Sequence, residues 1–157
     1  IKPIQYKEKT FDFIELKKIF KKNRINTSLK LIFLPQILEL ISLIKPVNIY
    51  VIDLDQSIQF SWLKQPFIIE SKENTIISIN SSSLAFTFSN EYGIDALSVN
   101  GRFHENIIFK FKDFEKFLIF QKFIQNGVTL QNPSIFFLIL LKGLIKQIKH
   151  LFINFRK

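Results

Sequence analysis

The chain has 157 residues, of which 47% are apolar and 22% charged, with a formal charge of +9. That is the size and make-up of one globular domain, and 1–157 is read as a single domain. With no cysteine, disulfides, thiolate metal sites and a cysteine nucleophile are excluded, and the four scattered glycines cannot build a phosphate-cradling loop.

The chain starts at Ile1 and contains no methionine, so it is expected to be the C-terminal part of a longer protein. Ile1 to Thr10 holds no continuous apolar segment of the kind a signal peptide needs, and a cytoplasmic setting is expected. Thr10 is the expected N-cap of a first helix, with Asp12 and Glu15 in its first turns, where the helix dipole favours negative charge. Phe13, Leu16, Ile19 and Phe20 recur at helical spacing and form its buried face. Lys17, Lys18, Lys21, Lys22 and Arg24 crowd its end. They are either a solvated, dipole-complementing terminus or a patch facing an anion or lipid. Asn26-Thr27-Ser28 reads as a break that caps a second helix, and Pro35 as its divider. Ile37, Leu38, Leu40, Ile41 and Ile44 form an apolar face that reads as core.

β structure follows. Val47, Ile49 and Val51 alternate with polar residues, turn at Asp53–Gln56, and pair with Ile58, Phe60 and Trp62. Phe67–Ile69 is a short strand and Thr75–Ile79 another, leading into a Ser81–Ser83-capped helix over Leu84–Phe88. A turn at Glu91-Tyr92-Gly93, an alternating run at Ala96–Val99 and Asn100-Gly101 then predict a hairpin whose return strand is Ile107–Phe111. Asp113 opens a helix carrying Phe114, Phe117, Leu118 and Ile124, stopped at Asn126-Gly127. A last helix is expected from Asn132 to about Asn154. It is apolar from Ile135 to Leu141 and amphipathic beyond, and its apolar run is shorter than the about 20 residues a bilayer requires.

Few residues carry chemistry. His104 and His150 stand apart from any acidic or second histidine partner at ligand spacing, so no metal site is expected. Asp53 and Asp55 lack the glycine and distal glutamate of a calcium loop. Ser81, Ser82 and Ser83 lack the glycines of a nucleophile elbow. Nucleic acid is disfavoured because the basic residues lie at helix ends rather than among strand aromatics. The last helix is either an ordinary core helix, an interfacial helix with a basic face, or one wall of an apolar cavity.

Two stretches carry a resemblance: Thr75-Ile-Ile-Ser-Ile-Asn-Ser-Ser-Ser-Leu84, and Asp95-Ala-Leu-Ser-Val-Asn-Gly-Arg-Phe103. Their order resembles the sterol-carrier-protein-like domain, and their wording is similar to the version at the C-terminus of certain metallo-β-lactamase-fold hydrolases. The likeness covers roughly Val47 to Phe111. It implies a non-catalytic accessory module that binds an apolar, lipid-like ligand or docks on an upstream hydrolase domain.

The resulting expectation is an α+β domain with an antiparallel sheet of about five strands, covered by helices from both ends of the chain. Phe60, Trp62, Leu97, Val99, Phe137 and Leu141 are the expected apolar ligand walls, and Arg102 a docking or anion-pairing residue. Lys17, Lys18, Lys21, Lys22 and Arg24 form the basic patch of the rival reading, a peripheral protein of anionic membranes or nucleic acid. No catalytic residue, metal or cofactor is assigned to this chain.

Overall fold

The computed structural model describes residues 9–72, 74–107 and 110–127. The helix expected from Asn132, with Phe137 and Leu141, falls outside the described residues. The described residues form an α+β structure in which six helices accompany a five-stranded mixed sheet.

Helix α1 (Phe13–Lys30) starts at Asp12, not at Thr10. Asp12 and Glu15 form a reciprocal capping box, each carboxylate accepting the other's backbone N–H, which satisfies two otherwise orphaned donors. The expected break at Asn26–Ser28 is absent. Thr27 and Ser28 are buried inside the helix, where the Ser28 hydroxyl donates to the Arg24 carbonyl one turn back. The real break follows at Ile32 and Phe33, both at positive φ, a region that penalises side chains with a Cβ. Pro35 sits in the first turn of α2 (Leu34–Leu40), where its missing N–H costs nothing. Contrary to the core reading of this helix, Ile37, Leu40 and Ile41 are exposed, Leu40 at 72%.

Strands β1 (Val47–Val51) and β2 (Gln56–Phe60) form the expected hairpin. β3 (Phe67–Ile69) adds to the outer edge of β2. The chain then returns across the sheet to lay β4 (Ile77–Ile79) beside β1 in parallel, with β5 (Phe103–Glu105) antiparallel to β4. The order β3-β2-β1-β4-β5 is therefore mixed, which corrects the purely antiparallel expectation. After a three-strand meander, a strand placed beside the first in the same direction needs only the return link at 70–76.

Between β4 and β5 stand two helices, α3 (Ser81–Ser89) and α4 (Gly93–Asn100). The second overturns the predicted hairpin: Ala96–Val99 is helix, and the return strand is Phe103–Glu105. Leu97 and Val99 accordingly do not belong to the sheet. Phe111 opens α5 (Phe111–Phe117), which passes at Leu118 into α6 (Ile119–Gln125).

One sheet face is apolar. Ile49, Val51, Ile58, Phe60, Ile77 and Ile79 are wholly buried. Above them Phe20, Phe60, Trp62, Phe88, Phe117 and Phe120 interlock, with ring centroids 4.9 Å apart for Phe20 and Phe88 and 5.3 Å for Trp62 and Phe120. Edge-on contacts of this kind add to the burial itself. The Trp62 indole N–H donates to the Phe117 carbonyl at 2.9 Å, so the ring's polar atom is satisfied inside the core. The opposite face is polar: the Gln59 amide donates to Asn48, and the Tyr50 hydroxyl to Asp55.

Candidate functional site: a groove between the third and fourth helices

The β4–α3 junction is held by a short hydrogen-bond chain. The Phe11 N–H donates to the Ser81 hydroxyl at 2.9 Å. Ser81 gives its own N–H and hydroxyl to the Asp53 carboxylate. This ties the entry segment, the turn after β1 and the start of α3 together, and it gives Ser81 a structural role.

Where α3 ends, its last carbonyls are satisfied by side chains from other helices. Asn23 donates to the Phe88 carbonyl and Gln121 to that of Thr87, both at 2.7 Å. Gln121 also accepts the Ile94 N–H at 3.3 Å. The chain turns into α4 at Gly93, where an added Cβ would stand 2.3 Å from the Thr87 carbonyl oxygen. A glycine is required there by close approach, and no φ argument is needed. Gly101, at φ +59, ends α4 in the left-handed conformation, its N–H donating to the Leu97 carbonyl. That turn carries the chain to Arg102 and into β5.

Between α3 and α4 these joints leave a groove of about 360 Å³. Phe11, Phe86, Ala96 and Leu97 supply its apolar wall, and Lys9 and Arg102 supply positive charge. Phe86 is 43% exposed, so the apolar surface is open to a ligand. No acid lines this groove among the described residues.

The sequence nominees are thus separated. Leu97 and Arg102 line the groove. Phe60 and Trp62 lie in the aromatic core, away from any cavity described here. Val99, 84% exposed, faces solvent on the far side of α4 from Leu97. The groove's other walls were missed. Phe86 falls in the short helix expected over Leu84–Phe88 and Lys9 just before the expected N-cap Thr10, and nothing local in either stretch points to the other.

The basic patch is partly used up in structure. Arg24 is half-buried and donates to the Lys64 carbonyl at 2.7 Å, while Lys17 is half-buried and Lys18, Lys21 and Lys22 are exposed. Next to them, along α1 and around the corner into α2, Ile25, Leu29, Ile32, Phe33, Ile37 and Leu40 are exposed. This is a second surface of mixed apolar and basic character. Among the described residues no group of histidine and acidic side chains is arranged to hold a metal, and no helix is long and apolar enough to cross a membrane.

No family model, curated protein or solved structure matches the chain.

Proposed function

We propose that this chain is a non-catalytic accessory module, sterol-carrier-protein-like in fold, that binds a small lipid-like molecule in the groove between α3 and α4. The observation that carries the proposal is the make-up of that groove: aromatic and aliphatic walls from Phe11, Phe86 and Leu97 beside the cations Lys9 and Arg102. Such a lining suits an alkyl chain ending in negative charge, since ligand sites are mostly apolar with a few placed polar groups. The passage from β4 through a serine-started helix to a further strand supports the likeness to the sterol-carrier-protein-like domain. An upstream metallo-β-lactamase-fold hydrolase domain and a cytoplasmic setting belong to the same proposal.

A second reading has an observation of its own. The corner of α1 and α2 exposes Leu29, Ile32, Phe33 and Ile37, with Lys18, Lys21 and Lys22 exposed earlier along α1, and apolar residues on the same helix as exposed lysines suit the interface of an anionic bilayer. It is also the described surface best suited to packing against a neighbouring domain.

Uptake of a fluorescent fatty acid by the full chain, measured at low and high salt, separates the readings. The groove reading predicts saturable binding that changes little with salt. Phe86→Asp should weaken it roughly tenfold or more, the worth of one apolar side chain's burial, while Leu29→Asp leaves it intact. Absence of uptake, together with salt-sensitive binding to anionic vesicles that Leu29→Asp abolishes, would replace the groove by the membrane reading.

A further inference from the structure

Helix α1 ends in a way that works against its own residues. The Phe33 N–H donates to the Ser28 carbonyl at 2.8 Å, the bond that closes a helix whose terminating residue, usually glycine, is left-handed. Here that residue is Ile32, at φ 51, and Phe33 follows at φ 56. The left-handed region penalises any side chain with a Cβ, branched and bulky ones most. Packing does not offset the cost, because Ile32 is 52% and Phe33 55% exposed. A strained backbone that buries neither side chain points to a use outside the fold.

We infer that Ile32 and Phe33 are a membrane wedge, the pair that enters the interface of an anionic bilayer while the lysines of α1 meet the headgroups. The inference rests on the second reading above, and adds to it the inserting residues and the way α1 is presented. None of the residues lining the groove between α3 and α4 belongs to this corner, so seating on a bilayer and uptake of a ligand do not compete for the same side chains.

Two further observations favour an anionic surface. The first is charge. Between Lys17 and Lys45 the only acid in the sequence is Glu39, and its carboxylate is taken by the Ser61 hydroxyl and the Trp62 N–H. Lys30 is matched by Glu91. Lys18, Lys21 and Lys22, by contrast, are exposed and have no ion-pair or hydrogen-bond partner among the described residues.

The second is placement. At about 100° per residue, Ile14, Lys18, Lys21, Lys22, Ile25 and Leu29 fall on one side of α1, opposite the buried Leu16, Phe20 and Thr27. Ile25 and Leu29 stand at the Ile32 end of that stripe, and Lys22 and Lys18 lie about two and three turns before Leu29. Such an order lets the apolar end enter while ammonium groups on long stems stay at headgroup level. Helix α2 continues the apolar surface with Ile37 and Leu40, both exposed.

The test is co-sedimentation of the full 157-residue chain with vesicles of phosphatidylcholine alone and of phosphatidylcholine and phosphatidylserine in equal parts, at low and high salt. The anionic vesicles should bind at least about tenfold tighter than the neutral ones, and salt should weaken them. Ile32→Gly combined with Phe33→Asn should cost at least about tenfold in that binding, the worth of the inserted apolar surface. The same double variant should melt no lower than the parent, since glycine and asparagine accept the left-handed backbone. Lys18→Gln and Lys22→Gln should each weaken binding about fivefold and leave melting unchanged. Brominated acyl chains should quench the new indole of Phe33→Trp and spare Trp62, which is wholly buried. If the double variant binds as tightly as the parent, or if Phe33→Trp escapes quenching, the wedge is wrong while membrane binding by charge stands. If the double variant melts well below the parent, Ile32 and Phe33 are structural and the inference fails. If neither vesicle is bound, the second reading fails with it, and a second copy or another protein covers the corner.

Discussion

Glu39 occupies a buried position in α2 between two leucines, and it is the one buried acid among the described residues. Its carboxylate accepts the Ser61 hydroxyl and, at 2.6 Å, the Trp62 N–H. Ser61 in turn accepts the N–H groups of Leu63 and Lys64. One side chain therefore organises the bend after β2 and sets where Trp62 enters the aromatic core. Glu39→Ala removes the acceptor and leaves a buried N–H and hydroxyl unpaired, so it should lower the unfolding free energy by about 3 kcal/mol in urea titrations. Glu39→Gln, which keeps one acceptor, should lose roughly half as much. A loss under about 0.5 kcal/mol for the alanine variant, the scale of an ordinary surface change, would contradict this role. Nothing local in the sequence announces the role. An acid beside Leu38 and Leu40 has the look of a helix's wet face, and its partners lie more than twenty residues further along.

Among the elements, α4 departs furthest from expectation, and the reason is specific. Asn100-Gly101 correctly signals a residue at positive φ, but a hairpin turn and the end of a helix make the same demand on the backbone. The apolar spacing favours helix once Ile94 is counted with Leu97, both of which are buried while Val99 is not. Similarly, Asn26–Ser28 carries the composition of a break, yet Thr27 and Ser28 are buried within α1, with the Gln36 amide of α2 donating to the Ser28 hydroxyl, and the packing overrides the composition. Helix α4 is also held from outside by charge. Lys122 of α6 reaches Asp95 at 3.0 Å and Glu115 at 3.8 Å. The hydrogen bond to Asp95, with further attraction from both carboxylates, raises the Lys122 ammonium above its ordinary value of 10.5. A raised folded-state value means that the stabilisation is fully present below pH 10.5 and is lost as pH climbs through the higher folded value. Lys122→Ala should therefore cost about 0.5 kcal/mol across neutral pH, as expected of a half-exposed pair. That cost should be insensitive to pH between neutrality and 10 and fade above 10.5. Unfolding measured at neutral and strongly alkaline pH checks it, and a cost that grows with pH would contradict the assignment.

For the molecule as a whole, the alternation in Val47–Val51 and Ile58–Trp62 was enough to place the first hairpin and to say which residues face inward, because a strand with one buried face writes its period into its own sequence. The α+β class followed from the same patterns. Strand order did not, since the parallel pairing of β1 with β4 depends on where the return link at 70–76 crosses, and no residue within either strand encodes that. The site was half legible for the same reason. Leu97 and Arg102 lie five positions apart in the one stretch, Asp95–Phe103, that carries the family resemblance, whereas Lys9, Phe11 and Phe86 join them only through the packing of α3 and the Ser81 hydrogen bonds. Phe60 and Trp62 are marked by strand alternation as inward-facing, and inward here means the packed core, not a cavity wall.

The account's central claim is that ligand binding occurs between α3 and α4. Mapping backbone amide shifts of the full chain during a decanoate titration tests it most directly. The claim predicts saturable shifts at Ser82–Thr87, at Ala96–Leu97 and at Gly101–Arg102, with the amides of Leu29–Leu40 unmoved. Shifts confined to the α1–α2 corner, or none at all at saturating ligand, would contradict it.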